Sequence, residues 1–218
     1  MMVGWSMRRT ILPLGLLLCS LGAHSEPPLP FCSFSVEDGW SDKPPSAYID
    51  RRGEYIVRKA KKNDPTGIPE VIGEIKRTLE IAVPIDIYIA RDENNAFATV
   101  ANGRKVIVAD AGFLGQINTV ARTEWGAIQV LAHEVGHHIA GFDSDRHRGE
   151  LNADYWSGQV LQRLGAARAA STKAILAFGT DFDTSSHPAK DRRARVIEKG
   201  WDDAARSYID YSYCISCQ

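Results

Sequence analysis

The chain has no excess of charge of one sign: 26 basic side chains stand against 27 acidic ones among 218 residues. That balance argues against a nucleic-acid partner, which would want a basic face. Beyond its N-terminus the sequence also lacks any apolar run of the ~18 residues that a membrane-spanning helix needs. It has four cysteines, and Cys214-x-x-Cys217 has no second pair with which to complete a zinc knuckle. No thioredoxin-like unit surrounds that pair, and there are no internal repeats or low-complexity tracts.

The N-terminus does carry an apolar stretch, but a short one. Arg8 and Arg9 precede residues 11–18, a run of signal-peptide length that is too short to span a bilayer comfortably. Ala23-His24-Ser25 then places small residues where a signal peptidase reads them. The expectation is a signal peptide over 1–25 and a chain that is periplasmic or secreted. In an oxidising compartment Cys32 would bridge to Cys214 or Cys217, leaving one thiol unassigned. Residues 26–64 read as an N-terminal extended segment or arm. They are proline-rich at first and then charged, with Tyr55, Ile56 and Val57 as the obvious anchors. Residues 65–218 are of a length to form one domain with a sizeable core.

Periodicity gives that domain its class. Ile68, Val71, Ile72, Ile75 and Leu79 recur at helical spacing, with Pro69 acceptable in a first turn. Ile85, Ile87 and Ile89 alternate as in a strand. Residues 97–101 and 105–109 flank Asn102-Gly103, a strong signal for a two-residue hairpin. Helices are predicted over about 122–140, 150–164 (with Gly165 as C-cap), 167–178 and 188–199, and a last one over 201–208. The pattern is α+β, a small sheet packed on a mostly helical bundle.

The most informative stretch is His133-Glu134-Val135-Gly136-His137. Residues four apart lie one above the other on a helix, so His133 and His137 can point imidazoles at one ion. Glu134, on the same helix, is placed to accept a proton from a water that the ion activates. A zinc hydrolase needs a third protein ligand, and the downstream candidates are Asp143, His147, Glu150 and Asp154. Asp143 lies six residues after His137, but Ala140 stands where that ligand pattern has a glycine. Glu150 and Asp154 are four apart on a predicted helix. Glu150 can therefore ligate while Asp154 orients a ligand histidine through its other ring nitrogen. Glu150 is the favoured ligand and Asp143 the alternative. His138 points about 100° away from His137 and is expected to be a bystander. Asp145 and His147 are expected to lie in the loop between the helices without binding metal.

His133-Glu134-x-x-His137 followed by Glu150-x-x-Ala153-Asp154 resembles the gluzincin zinc metallopeptidases of the HtpX and CAAX-prenyl-endopeptidase family. Two further segments are similar to that family. Asn95-Ala96-Phe97-Ala98-Thr99, with Val106-Ile107-Val108 and Gly112-Phe113-Leu114, resembles its hairpin before the zinc helix. Ser186-His187-Pro188-Ala189-Lys190-Asp191-Arg192-Arg193 resembles its late His-Pro segment. The resemblance spans about 95–193. It implies a zincin-like fold with an active-site helix, one Zn2+ per chain, and a polypeptide substrate. It also implies an edge strand at Asn95, Ala96, Phe97 and Ala98 on which an extended substrate can pair. His187 would lie near the metal, as an oxyanion donor or as a fourth ligand. Arg192 or Arg193 would hold a substrate carbonyl or an acidic side chain of the fold. Unlike membrane-embedded members, this chain leaves no room between His137 and Glu150 for a transmembrane hairpin, so a soluble exported version is expected.

The expected activity is hydrolysis of peptide bonds in exported or envelope proteins by a zinc-activated water. The alternative is a periplasmic zinc-containing binding or chaperone-like module whose site is latent. The ligand assignment makes a direct prediction. Glu150→Ala loses zinc on desalting while Asp143→Ala keeps it, as read by elemental analysis; the reverse result would exchange the two roles.

Overall fold

A computed structural model describes residues 57–91 and 93–215, with side chains described as far as residue 207. The expected signal peptide, most of the expected arm, and the side chains of Cys32, Cys214 and Cys217 lie outside the described residues.

The sheet has four strands: β1 (Val57–Lys59), β2 (Ile85–Ala90), β3 (Ala96–Ala101) and β4 (Arg104–Asp110), in the order β1-β2-β4-β3. Strands β3 and β4 form the expected hairpin. Asn102 and Gly103 both take positive φ, at 50° and 73°, which is what a tight two-residue turn matched to strand twist requires. Because the hairpin folds back on itself, β4 lies between β2 and β3, parallel to the first and antiparallel to the second. β1 falls in the stretch expected to be an extended segment or arm. It is a strand paired with β2, and Asp64 behind it is buried and accepts hydrogen bonds from Arg58 at 2.6 and 3.0 Å.

Strand alternation sorts the side chains between two layers. Ala96, Ala98, Ile107 and Ala109 face the main core. Val106 and Val108 face the opposite side with Val57 and Ala90, and Phe97 packs there, half-buried. The main core is completed by α1 (Ile68–Thr78), whose Ile68, Ile72 and Ile75 form its buried stripe, and by α2 (Ala111–Val120) and α3 (Gly126–Ala140).

Helix α2 was not anticipated by periodicity. Asp110 makes it: one carboxylate oxygen accepts from the Gly112 and Phe113 amides at 2.7 and 3.2 Å. The other accepts from Glu93 and Asn94 at 2.9 and 3.2 Å, so one side chain joins β4, α2 and the loop before β3. Helix α3 starts at Gly126 rather than 122, since Arg122 has positive φ (49°) in the preceding turn.

Helix α4 (Arg146–Arg163) begins before the expected 150 because Asp145 caps it, accepting from the Arg148 amide at 3.2 Å. It ends at Arg163 with Leu164 as its C-cap, one place before the predicted Gly165, whose φ of 92° lets the Ala166 amide reach the Leu161 carbonyl at 2.9 Å. The helix expected over 167–178 is instead a short 3-10 turn at Arg168–Ala170 followed by α5 (Lys173–Phe178).

The two last predicted helices are one, α6 (Lys190–Ile215). Gly200 does not break it, because tertiary contact uses the missing side chain. A Cβ on Gly200 would lie 2.1 Å from the Tyr155 carbonyl oxygen, and one on Gly158 would lie 2.0 Å from that of Ile197. Helices α4 and α6 thus touch backbone to backbone. Overpacking such a contact costs about 1–3 kcal/mol or more. Gly158→Ala and Gly200→Ala should each lower the melting temperature by roughly 5–10 °C in a domain of this size. Gly115→Ala, whose Cβ meets nothing within 4 Å, should not. Thermal unfolding followed by circular dichroism checks this; equal behaviour of all three would contradict the close crossing.

Candidate metal centre

Helix α3 places His133 and His137 one turn apart, and helix α4 crosses it at Gly136. A Cβ on Gly136 would stand 2.8 Å from the Ala153 carbonyl oxygen and 2.9 Å from its Cα, so only glycine allows this approach. Ala153 is fully buried at the crossing, and Glu150 and Asp154, one helical turn from each other, stand before and after it. The crossing therefore carries both carboxylates to the two histidines.

The resulting spacings would suit a metal ion. Glu150 Oε2 is 3.2 Å from His133 Nε2, and Glu150 Oε1 is 3.4 Å from His137 Nε2. Ligand atoms each ~2.0–2.1 Å from a tetrahedral ion lie roughly 3.3–3.4 Å apart. The three side chains are buried, with ligand atoms within 4.8 Å of one another, and could hold a metal ion. Two buried atoms support the fit. Glu150 Oε2 and His187 Nε2 find no partner of hydrogen-bonding geometry among the described residues, and they lie 3.7 Å apart at the same centre. A cation between these donors would satisfy both.

Asp154 stands against the other ring nitrogen of His133. Its Oδ1 lies 2.9 Å from His133 Nδ1, which turns Nε2 toward Glu150. The same carboxylate receives a two-pronged hydrogen bond from Arg193, Nε to Oδ2 at 2.7 Å and Nη2 to Oδ1 at 2.9 Å. Arg193 is 1% exposed, and its Nη2 is also 3.4 Å from Glu150 Oε2. Of the two alternatives for this arginine, the structure brings it to an acidic side chain of the fold. Arg192 is elsewhere, 3.3 Å from the exposed carboxylate of Asp183.

Electrostatics follow from this packing. Burial opposes charge on His133, but the carboxylates of Asp154 and Glu150 outweigh it and raise its pKa to about 10. Burial also opposes charge on Glu150 and Asp154. The imidazoles of His133 and His137 close against it hold the Glu150 carboxyl well below the usual carboxylate range, and the Arg193 and His133 charges lower Asp154. Burial pushes the His187 imidazole down to about 4 against the pull of Glu150, with the Arg193 charge adding to the effect. His187 is held by Ser186 Oγ, 2.8 Å from its Nδ1.

Of the other histidines, His138 stands apart from the cluster as the sequence suggests, whereas His147, expected in the loop between the helices, lies in the first turn of α4, just after its cap Asp145. His138 points to the sheet, with Nε2 3.0 Å from the Val106 carbonyl oxygen, while its own carbonyl accepts from Lys105. Burial lowers its pKa to about 4. His147 Nε2 lies 2.7 Å from the Thr184 carbonyl oxygen. Asp143 is occupied by Arg148 at 2.5 and 2.8 Å and stands outside the cluster. Glu134 is buried on α3. Strand β3 lies at the sheet edge with Ala96 and Ala98 buried under it, Asn95 just before it, and Phe97 turned to the other face.

A cavity of about 380 Å3 adjoins the cluster. His137 and Glu150 line it together with Phe142, Asp143, Ser144, Arg146, Gly149 and Ser186. Sequence reasoning did not single out Phe142 or Gly149, because neither lies in a motif. Their signal is position alone, in the short segment between ligands.

No family model, no curated protein and no solved structure matches the chain. The geometry therefore carries the functional reading. Its first consequence concerns Asp154. Asp154→Asn keeps an acceptor near His133 Nδ1 but leaves the buried Arg193 without its counter-charge. Zinc affinity should fall roughly 10- to 100-fold in competition with a chromophoric chelator; unchanged affinity would remove Asp154 from the site.

Proposed function

We propose that the chain is a zinc-dependent endopeptidase of zincin type, similar to the HtpX and CAAX-prenyl-endopeptidase family, that cleaves peptide bonds of exported proteins. The observation that carries this reading is the meeting of His133 and His137 from α3 with Glu150 from α4, at the spacing of three ligands of one small cation. Two imidazoles and one carboxylate form the donor set of many catalytic zinc sites. Charge supports a dication too: the buried carboxyl groups of Glu150 and Asp154 share one buried guanidinium, that of Arg193.

Zinc, when bound, supplies Lewis-acid activation of a water and of the scissile carbonyl. The chain's own residues do the rest. His133, His137 and Glu150 hold the ion. Asp154 fixes the tautomer of His133, and Arg193 fixes Asp154. Glu134 accepts the proton of the attacking water and returns it to the leaving amine. An extended substrate pairs along the outer edge of β3, with Asn95 to Ala98 as the rim. The N-terminal apolar segment supports a periplasmic or secreted destination. No helix among the described residues is long and apolar enough to cross a membrane.

His187 favours a second reading, in which the site is latent and the chain acts as a binding or chaperone-like module. Its Nε2 approaches Glu150 to 3.7 Å and is buried without a hydrogen-bond partner. If Nδ1–H donates to Ser186, Nε2 offers a lone pair and can close the centre as a fourth ligand. If Ser186 donates instead, Nε2–H is a donor for the oxyanion.

Casein incubated with the zinc-loaded chain and with Glu134→Gln tests the proposal. Cleavage by the wild type, reduced at least a hundredfold in Glu134→Gln with zinc content unchanged, is the expected result. No cleavage by either, with zinc bound in both, would favour the latent module.

A further inference from the structure

We infer that His147 and Thr184 are positioning residues for His187: they fasten the loop that carries it to helix α4, and so set where its ring meets the metal centre. The inference rests on the peptide-hydrolase reading and adds two residues to that site.

His187 lies on the loop between α5 and α6, residues 179–189. The loop is closed at its base. The Lys190 amide donates to the Thr180 carbonyl at 2.7 Å, and Lys190 Nζ pairs with Asp181 at 2.6 Å. Gly179 permits this closure, since a Cβ there would stand 2.6 Å from both the Ile175 carbonyl oxygen and the Lys190 Cβ. With its ends joined, the loop is placed over the centre by what its far part touches outside itself.

That far part is a turn built on Thr184. The Thr184 amide donates to the His187 carbonyl at 2.8 Å, and the His187 amide donates to Thr184 Oγ1 at 2.9 Å. The Ser186 amide reaches the same hydroxyl at 3.4 Å, and Ser186 Oγ lies 2.8 Å from His187 Nδ1. Both the backbone and the ring of His187 are therefore referred to one residue. Where Thr184 goes, His187 follows.

Thr184 is in turn held from α4. Its carbonyl oxygen lies 2.7 Å from His147 Nε2, and because a carbonyl only accepts, that nitrogen carries the proton. The His147 side chain is 27% exposed, so the bond rather than core packing is what it contributes. Its Nδ1 faces Asp183 at 4.0 Å, and Asp183 accepts from the Ala189 amide at 2.7 Å and from Arg192 at 3.3 Å. His147 precedes Glu150 by three residues and Asp154 by seven, so the three share one face of α4. One helix thus presents the anchor of the loop, the carboxylate at the centre and the partner of His133. The result is the placement of His187 Nε2, buried 3.7 Å from Glu150 Oε2.

Amide hydrogen exchange, followed by NMR in the zinc-loaded full chain, reads the anchor. His147→Ala should speed exchange of the Thr184 and His187 amides roughly tenfold. His147→Gln, whose side-chain amide can reach the same carbonyl, should keep both within about threefold of the wild type. With casein, His147→Ala should lower kcat roughly tenfold with KM and zinc content little changed, and His147→Gln should restore most of it. In a His187→Ala background the same His147→Ala change should lower kcat by less than about twofold further. If His147→Ala does not fold, Thr184→Val against Thr184→Ser makes the comparison, since only the serine keeps the hydroxyl that accepts from His187.

Unaltered exchange at Thr184 and His187 in His147→Ala overturns the inference, as does an equal loss of kcat with and without His187. Casein cutting that His147→Ala leaves unchanged overturns the positioning role alone. The expected exchange without cutting by the wild type keeps the anchor of His187 and overturns the peptidase reading. A chain that takes up no zinc overturns both.

Discussion

Two carboxylates one helical turn apart, Glu150 and Asp154, are buried in the middle of this molecule, and the surrounding structure follows from the need to compensate them. An isolated buried carboxylate is costly enough that it is found paired or bound to metal. Asp154 meets that demand twice over, through His133 and through the two-pronged contact of Arg193. Glu150 meets it only in part: His133, His137, His187 and Arg193 all approach, yet Oε2 lacks a hydrogen bond of good geometry. The asymmetry separates the two roles. Asp154 is a fixed anchor, and Glu150 is available to a cation.

Holding these groups together requires three helices to approach unusually closely. Gly136 lets α3 reach α4, and Gly158 and Gly200 let α4 reach α6. With those contacts in place, α3 brings the histidines, α4 the carboxylates and α6 the guanidinium, each on a rigid element rather than a loop. The loop residues of the site, Phe142 and His187, are by contrast the ones that border open space or face the fourth direction of the centre.

Much of this was legible in the sequence, for physical reasons that can be named. The Asn102-Gly103 turn, the isoleucine stripe of α1 and the i, i+4 histidines are local patterns, and local geometry fixed them. The choice of Glu150 over Asp143 was legible through helix spacing, and the Asp143–Arg148 contact gives it a cause. What was not legible depended on distant partners. Gly200 looks like a helix end until Tyr155 is packed against it. Helix α2 depends on Asp110 capping, in a segment whose apolar residues show little helical period. Arg193 stands 60 residues from His133 in sequence, so its place beside that ring is decided by how α6 docks. Residues 57–59, read as part of an arm, are a strand because β2 offers an edge.

The central claim is that one small cation is held by two imidazoles and a carboxylate in the middle of the three-helix crossing. X-ray absorption at the zinc edge of the metal-loaded chain addresses it directly. The account predicts a first shell of nitrogen and oxygen near ~2.0–2.1 Å, with the outer scattering of imidazole and no sulfur. A sulfur shell near ~2.3 Å would assign the metal to cysteine instead, and would contradict the account.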